Sequence, residues 1–253
     1  MRRAVDINSD LGEGAGHDPE IMRFVTSANI ACGGHAGDED TMRETVALAK
    51  KHGVSIGAHP GYPDKSNFGR ENMNMDPLAL TEEVAAQIRL LVEIAESEGA
   101  RVRHVKAHGA LYNQADKDRG IAKAIANGIY DDARGADYLV FAAPRSAMLD
   151  AAKAMELRIA REGFIDRAYE PDGTLRSRKK DGALHTDPKV AAAQAVSFLR
   201  DGGVRAHDGS FVAMTVDTLC LHGDTPGAPA IAAAVRAALV AAGVEVRAAI
   251  IWT

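Results

Sequence analysis

The sequence predicts an α/β protein with a parallel sheet, folded as one domain over residues 1–253. Three observations carry this. Short apolar runs alternate with helical patterns along the chain, polar residues recur at the ends of those runs, and no Pro/Ser-rich linker or short repeat divides it. Strand–helix alternation implies parallel strands joined by right-handed crossovers, which leaves a closed barrel or an open doubly wound sheet. A chain of 253 residues can bury roughly 70% of its unfolded surface around one core.

The elements follow in order. Ala4–Asp10 reads as the first strand, with Asp6, Asn8 and Asp10 on one face by the period of two. Ala28–Gly33 is the second. Glu39–His52 is a helix with Met42, Val46 and Ala49 in step and Gly53 as its stop. Strand Val54–His59 leads to helix Leu78–Ser97, where Leu78, Val84, Ile88, Leu91 and Ile94 share a side and Gly99 closes it. Strand Arg103–His108, helix Ala122–Tyr130, strand Tyr138–Ala143, helix Ser146–Met155 and strand Arg158–Asp166 follow. The irregular stretch Tyr169–Asp187, containing RSRKK, is of a length that is usually functional or mobile. Helix Lys189–Leu199, strand Phe211–His222, helix Ala228–Ala242 and strand Val244–Ile251 complete an expected set of eight strands.

Composition narrows the function classes. Hydrophobic residues at 46% and charged residues at 26% exclude a disordered chain. A net charge of −5 argues against nucleic acid as partner, and aromatics at 5% supply few stacking platforms. MRRAVDINSD shows no secretory signal, and Ile231–Val246 is interrupted by Arg236 and Gly243, so no membrane span is expected. The two cysteines, Cys32 and Cys220, read as small buried thiols of a reduced, cytoplasmic protein.

Chemistry-bearing residues gather at the carboxyl ends of the predicted strands, where parallel α/β folds bind ligands. Strand one supplies Asn8 and Asp10, with Glu13 beyond. Strand two supplies Asn29 and then His35, and strand three His59. Strand four aligns His104, Lys106 and His108, with Asn113 following. Strand six ends in Asp166 and Arg167, and strand seven in His222 and then Asp224. Such a set suits acid–base work on a carbonyl. Asp10, Glu13, His35, His59, Lys106 and His108 are the candidate catalytic residues. Asn8, Asn29, Arg70, Asn113, Asp166, Arg167, His222 and Asp224 are candidates for holding substrate. Lys106, flanked by His104 and His108, is a candidate for a depressed pKa, with an ion pair to Asp10 or Asp6 as the alternative. A divalent metal is a weaker reading, since HExxH and Cys/His knuckles are absent; Asp10, His35 and His59 would be its ligands. No P-loop or GxSxG elbow occurs, so any nucleotide would be bound otherwise or by another chain.

The blocks DINSDLGEG, SANIACGGHAGD, GAHPGYPD followed by FGR, VKAHGALYN, DRAYEPDGTL followed by Arg176, and LCLHGDTPGA closely resemble the LamB/YcsF family, in order over nearly the whole chain. Ala107, where members often carry proline, and NFGR at 67–70 are modest departures that remove no charged or histidine position. The resemblance implies a distorted seven-stranded (β/α) barrel like that of polysaccharide deacetylases, making the eighth predicted strand surplus or peripheral. It also implies ATP-dependent hydrolysis of 5-oxo-L-proline to L-glutamate together with two partner subunits, B and C, which would bind the ATP wholly or mainly. Asp10 or Glu13 would then be the base, His35, His59 and His108 would polarise or protonate, and Lys106, Arg70 and Arg167 would hold a carboxylate or phosphate. A metal-dependent deacetylase or amidohydrolase acting alone, and a non-catalytic regulatory role, are the competing readings.

Overall fold

A computed structural model describes residues 4–132 and 137–249. The chain runs β1 (Ala4–Leu11), α1 (Asp18–Ile21), β2 (Ser27–Ala31), α2 (Glu39–His52), β3 (Ser55–His59), α3 (Pro77–Ser97), β4 (Val102–Val105), α4 (Gly109–Ala115), α5 (Arg119–Asp131), β5 (Leu139–Ala142) and α6 (Ala147–Ala154). It continues through β6 (Arg158–Phe164), α7 (Pro188–Arg200), β7 (Gly203–Arg205), β8 (Phe211–Ala213), β9 (Thr218–His222), α8 (Ala228–Ala241) and β10 (Glu245–Val246). Strands β1-β2-β3-β4-β5-β6-β9 pair in parallel in that order, and β9 pairs back onto β1. Closure selects the barrel over the open sheet, with seven strands among the described residues.

The expected eighth strand is peripheral. It is reduced to Glu245–Val246, which pairs with Ala4–Val5 outside the ring, and its expected end at Ile250–Ile251 lies outside the described residues. The expected strand Phe211–His222 is two elements. Phe211–Ala213 forms an antiparallel ribbon with Gly203–Arg205, and only Thr218–His222 enters the barrel. The expected strand Arg103–His108 is regular only to Val105; Lys106 and His108 still donate backbone N–H groups to the Ala58 and Pro60 carbonyls before the chain turns into α4 at Gly109. No helix among the described residues is long and apolar enough to cross a membrane.

Helix ends follow local chemistry. Asp38, Asp76, Asp118, Ser146 and Asp187 each accept backbone N–H groups at the starts of α2, α3, α5, α6 and α7. Between helices and barrel, Ile7, Leu11, Ile30, Val46, Val84, Ile88, Leu91, Leu219 and Val235 make a dry core. The barrel interior differs. Asp6, Asn8, Asp10, Asn29, His104, Lys106, Glu162 and Thr218 are all buried there or at its mouth, so the strands' second face carries polar groups that must satisfy one another.

Candidate active site

The interior is a ladder of hydrogen bonds climbing β1. Asp6 accepts from Thr26 Oγ1 at 2.6 Å, Ser27 Oγ at 2.8 Å and Thr218 Oγ1 at 2.5 Å. Asn8 donates to Thr218 Oγ1 at 2.7 Å and accepts from Asn29 Nδ2 at 2.7 Å. Asn29 Nδ2 also donates to Asp10 Oδ1 at 2.8 Å, and its Oδ1 accepts from His104 Nε2 at 2.8 Å. The His104 ring stacks on Phe141 at 4.3 Å and fills space that only glycine leaves at position 57, where a Cβ would lie 2.1 Å from His104 Nε2. Burial pushes the His104 pKa down to about 3, so the ring works as a neutral donor. Asn8 and Asn29, expected to touch substrate, are buried beneath the cavity and do not line it. Their place is to hold Asp10.

Lys106 Nζ lies at the top of the ladder, 2.7 Å from Asp10 Oδ1, 3.2 Å from Glu162 Oε1 and 3.0 Å from Cys220 Sγ. Burial works against its charge, but Asp10, Cys220 and Glu162 outweigh burial and hold it well above the ordinary lysine range. Of the two readings of Lys106, the ion pair with Asp10 holds and the depressed pKa does not: the carboxylates decide, not the neighbouring histidines. Glu162 was missed in the strand-end reading. Its signal is the alternation of Glu162, Phe164 and Asp166 in strand six, whose expected site residues were confined to the strand's end.

Beside Asp10, four residues from separate segments of the chain converge. Glu13 Oε1 is 3.0 Å from His35 Nε2, 3.2 Å from His108 Nδ1 and 3.6 Å from His59 Nε2. His59 Nε2 lies 3.0 Å from His108 Nδ1 and 3.4 Å from Asp10 Oδ2. Burial favours a protonated Asp10, but His59 and Lys106 hold the carboxyl well below its usual range. Glu13 is likewise held low, by the His108 and His35 imidazoles against its carboxylate, which outweigh burial. Burial also lowers His35, to about 4, and His108, whereas the Asp10 carboxylate overcomes burial and raises His59. Glu13, His35, His59 and His108 offer ligand atoms within 4.8 Å of one another, and Asp10, Cys220 and His222 form a second such group.

A cavity of about 570 Å³ opens on this cluster, bordered by Asp10, His59, Lys106, His108, Glu162 and His222. Arg70, Asn113 and Arg167 also border it. Asp166 does not. It is fully buried, accepts from His222 N, His222 Nδ1 and Thr225 Oγ1 at 3.1, 3.0 and 2.6 Å, and is held down to about 2 by those contacts with His222 despite burial. Asp224 also stands off the cavity and pairs with Arg70 at 2.5 Å. Arg167 is 6% exposed, donates through Nη2 to the Arg176 carbonyl at 2.6 Å and keeps Nε without a partner. Glu13 and His35 sit behind His59 and His108, away from the cavity lining.

This chain is similar to the A subunit of 5-oxoprolinase from Bordetella pertussis, with 47% identity over 98% of this chain and 100% of that protein. It also superposes on the crystal structure of a lactam utilization protein from Thermus thermophilus, at a TM-score of 0.90 and 44% identity over 97% of this chain and 99% of that one. A deacetylase, T48, shares the fold at a TM-score of 0.51 and 12% identity, covering 97% of this chain and 87% of its own. Residues 5–251 match the LamB/YcsF family, and the chain belongs to that family.

Proposed function

We propose that this chain is one component, the A subunit, of an ATP-dependent 5-oxoprolinase, which opens the lactam ring of 5-oxo-L-proline to give L-glutamate together with two partner subunits. The observation that carries the reading is His222, held by the buried Asp166, at the border of a cavity shared with the buried acid–imidazole cluster. The names of the relatives point the same way. Lactam resonance makes the ring carbon a poor electrophile, and transfer of a phosphoryl group from ATP to the lactam oxygen removes that protection. The partner subunits would perform this step, since the chain has no P-loop.

This chain would then add water. His222 Nδ1–H donates to the Asp166 carboxylate, which fixes the tautomer and leaves Nε2 as base. Water adds to the ring carbon while its proton passes to His222 Nε2. The imidazolium returns that proton to the ring nitrogen, and the added hydroxyl gives its own proton to the departing amine as the carbon–nitrogen bond breaks and the carbonyl of an acyl phosphate forms. A second water converts the acyl phosphate to glutamate and phosphate. Arg167 would hold the substrate carboxylate or phosphate through its free Nε. Lys106 serves instead to keep Asp10 charged and to hold Asp10 and Glu162 in place.

Glutamate release from 5-oxoproline and ATP, with and without the partner subunits, is the test. His222→Gln should cut turnover by roughly 10²–10⁴-fold in the assembled complex while the variant still assembles. Hydrolysis of N-acyl substrates by the chain alone, without ATP, would instead establish the stand-alone amidohydrolase.

A further inference from the structure

We propose that Glu13, His59 and His108 bind one divalent transition-metal ion of the zinc class beside the cavity. The argument begins with which ring nitrogens carry protons. His59 Nδ1 lies 2.8 Å from the Lys106 carbonyl and His108 Nε2 lies 2.9 Å from the Phe68 carbonyl. A carbonyl only accepts, so each of these nitrogens must be the N–H. In the neutral rings the opposite nitrogens, His59 Nε2 and His108 Nδ1, present lone pairs, yet they face each other at 3.0 Å. Glu13 Oε1, a third acceptor, approaches both at 3.6 and 3.2 Å. Three acceptors packed this closely are held together by positive charge among them, supplied by a shared proton or by a metal ion in its place. The nearby cation, Lys106 Nζ, is occupied by Asp10 and Glu162.

The dimensions fit a metal ion. A triangle with sides of 3.0, 3.2 and 3.6 Å has a circumradius of about 1.9 Å, so an ion about 0.8 Å off its plane lies about 2.05 Å from all three atoms, the usual zinc–ligand distance. Three protein ligands leave a position open, the pattern of catalytic rather than structural zinc. The His59 and His108 rings are perpendicular, so their lone pairs can converge on one point. His35 is excluded from the set because its ring lies parallel to His108 at 3.6 Å, and in-plane lone pairs on parallel rings do not meet. His35 instead supports Glu13 through Nε2 at 3.0 Å, as groups around metal ligands do. The set differs from the one expected from sequence, Asp10, His35 and His59, in two of its three members. The donor set of two imidazoles and a carboxylate suits zinc, iron or nickel better than magnesium or calcium.

Binding is read without turnover, so this inference stands or falls apart from the proposed reaction. Full-length protein stripped with a chelator is titrated with Co²⁺, followed by visible absorption, and with Zn²⁺, followed by calorimetry. One equivalent should bind, with the visible bands of four- or five-coordinate Co²⁺ and no sulfur charge-transfer band. Glu13→Gln and His108→Asn should each weaken binding at least ~10-fold, and Cys220→Ser should leave it unchanged. Metal-free melting curves verify folding; should His108→Asn not fold, the near-isosteric Glu13→Gln decides. Failure to bind one equivalent in excess metal, or binding that survives Glu13→Gln and disappears in Cys220→Ser, overturns the proposal.

Discussion

Lys106→Met isolates the buried charge balance on which the cavity is built. The lysine side chain is 2% exposed and lies 2.7 Å from Asp10 and 3.2 Å from Glu162, whose side chains are 4% and 0% exposed. Methionine fills similar volume, so the packing loss is small. What changes is that two buried carboxylates lose their shared cation. Removing one partner of a buried pair costs about 3–5 kcal/mol, because the remaining charge is left without water or counter-ion. For a chain of this size that corresponds to a fall in Tm of roughly 6–20 °C. The sign of the pH dependence follows from Asp10. With Lys106 present its folded pKa is depressed, so its contribution exists above the unfolded value and is lost as pH falls through the folded one. Without Lys106, burial is opposed less, the folded pKa rises, and the penalty is greatest near neutrality. The gap in Tm between variant and wild type should therefore close as pH falls from about 7 towards about 4. Adding Glu162→Gln to Lys106→Met should recover about 1 kcal/mol or more, while Glu162→Gln alone recovers nothing. Thermal melts across pH on the four proteins of this cycle provide the assay. A Tm loss that is the same at every pH, or no recovery in the double variant, would refute the electrostatic account.

Two further outcomes follow from the same interior. Gly57→Ala should destabilise the protein by roughly 2–5 kcal/mol in urea unfolding, because the new methyl would displace the His104 ring from Asn29 and there is no free space to receive it. Asp166→Asn should remove about 2 kcal/mol of stability at pH above 4, judged from a carboxyl held at about 2 against 3.8. Since that depressed group contributes only above its unfolded value, the difference between wild type and Asp166→Asn should shrink as pH falls from about 4 to about 2, which acid unfolding monitored by circular dichroism would measure.

The order of strands and helices was legible because local patterning decides it: period-two alternation in DINSD, Gly53 after helix α2, and aspartates ahead of Thr41, Leu78 and Lys189. The convergence of Asp10, His59, Lys106 and His108 on one end of the fold was legible for the same reason, since parallel strands place their carboxyl ends together. Where the pattern was ambiguous the reading failed. Phe211–His222 is apolar over much of its length, and nothing local says that Phe211–Ala213 pairs with Gly203–Arg205 outside the ring.

Only tertiary structure decided what each polar residue does. Asn8, Asn29 and Asp10 face the same interior from neighbouring strands, yet closure of β9 onto β1 buries the first two in the ladder and leaves the third at the cavity. Asp166 and His222, from β6's far end and from β9, become a pair because those strands are neighbours. The identity of a lysine's nearest carboxylates, or of the carbonyl that fixes an imidazole's proton, depends on atoms tens of residues apart in sequence. Electrostatics and hydrogen bonding act through distance in space, and the amino-acid order specifies that distance only after the barrel has closed.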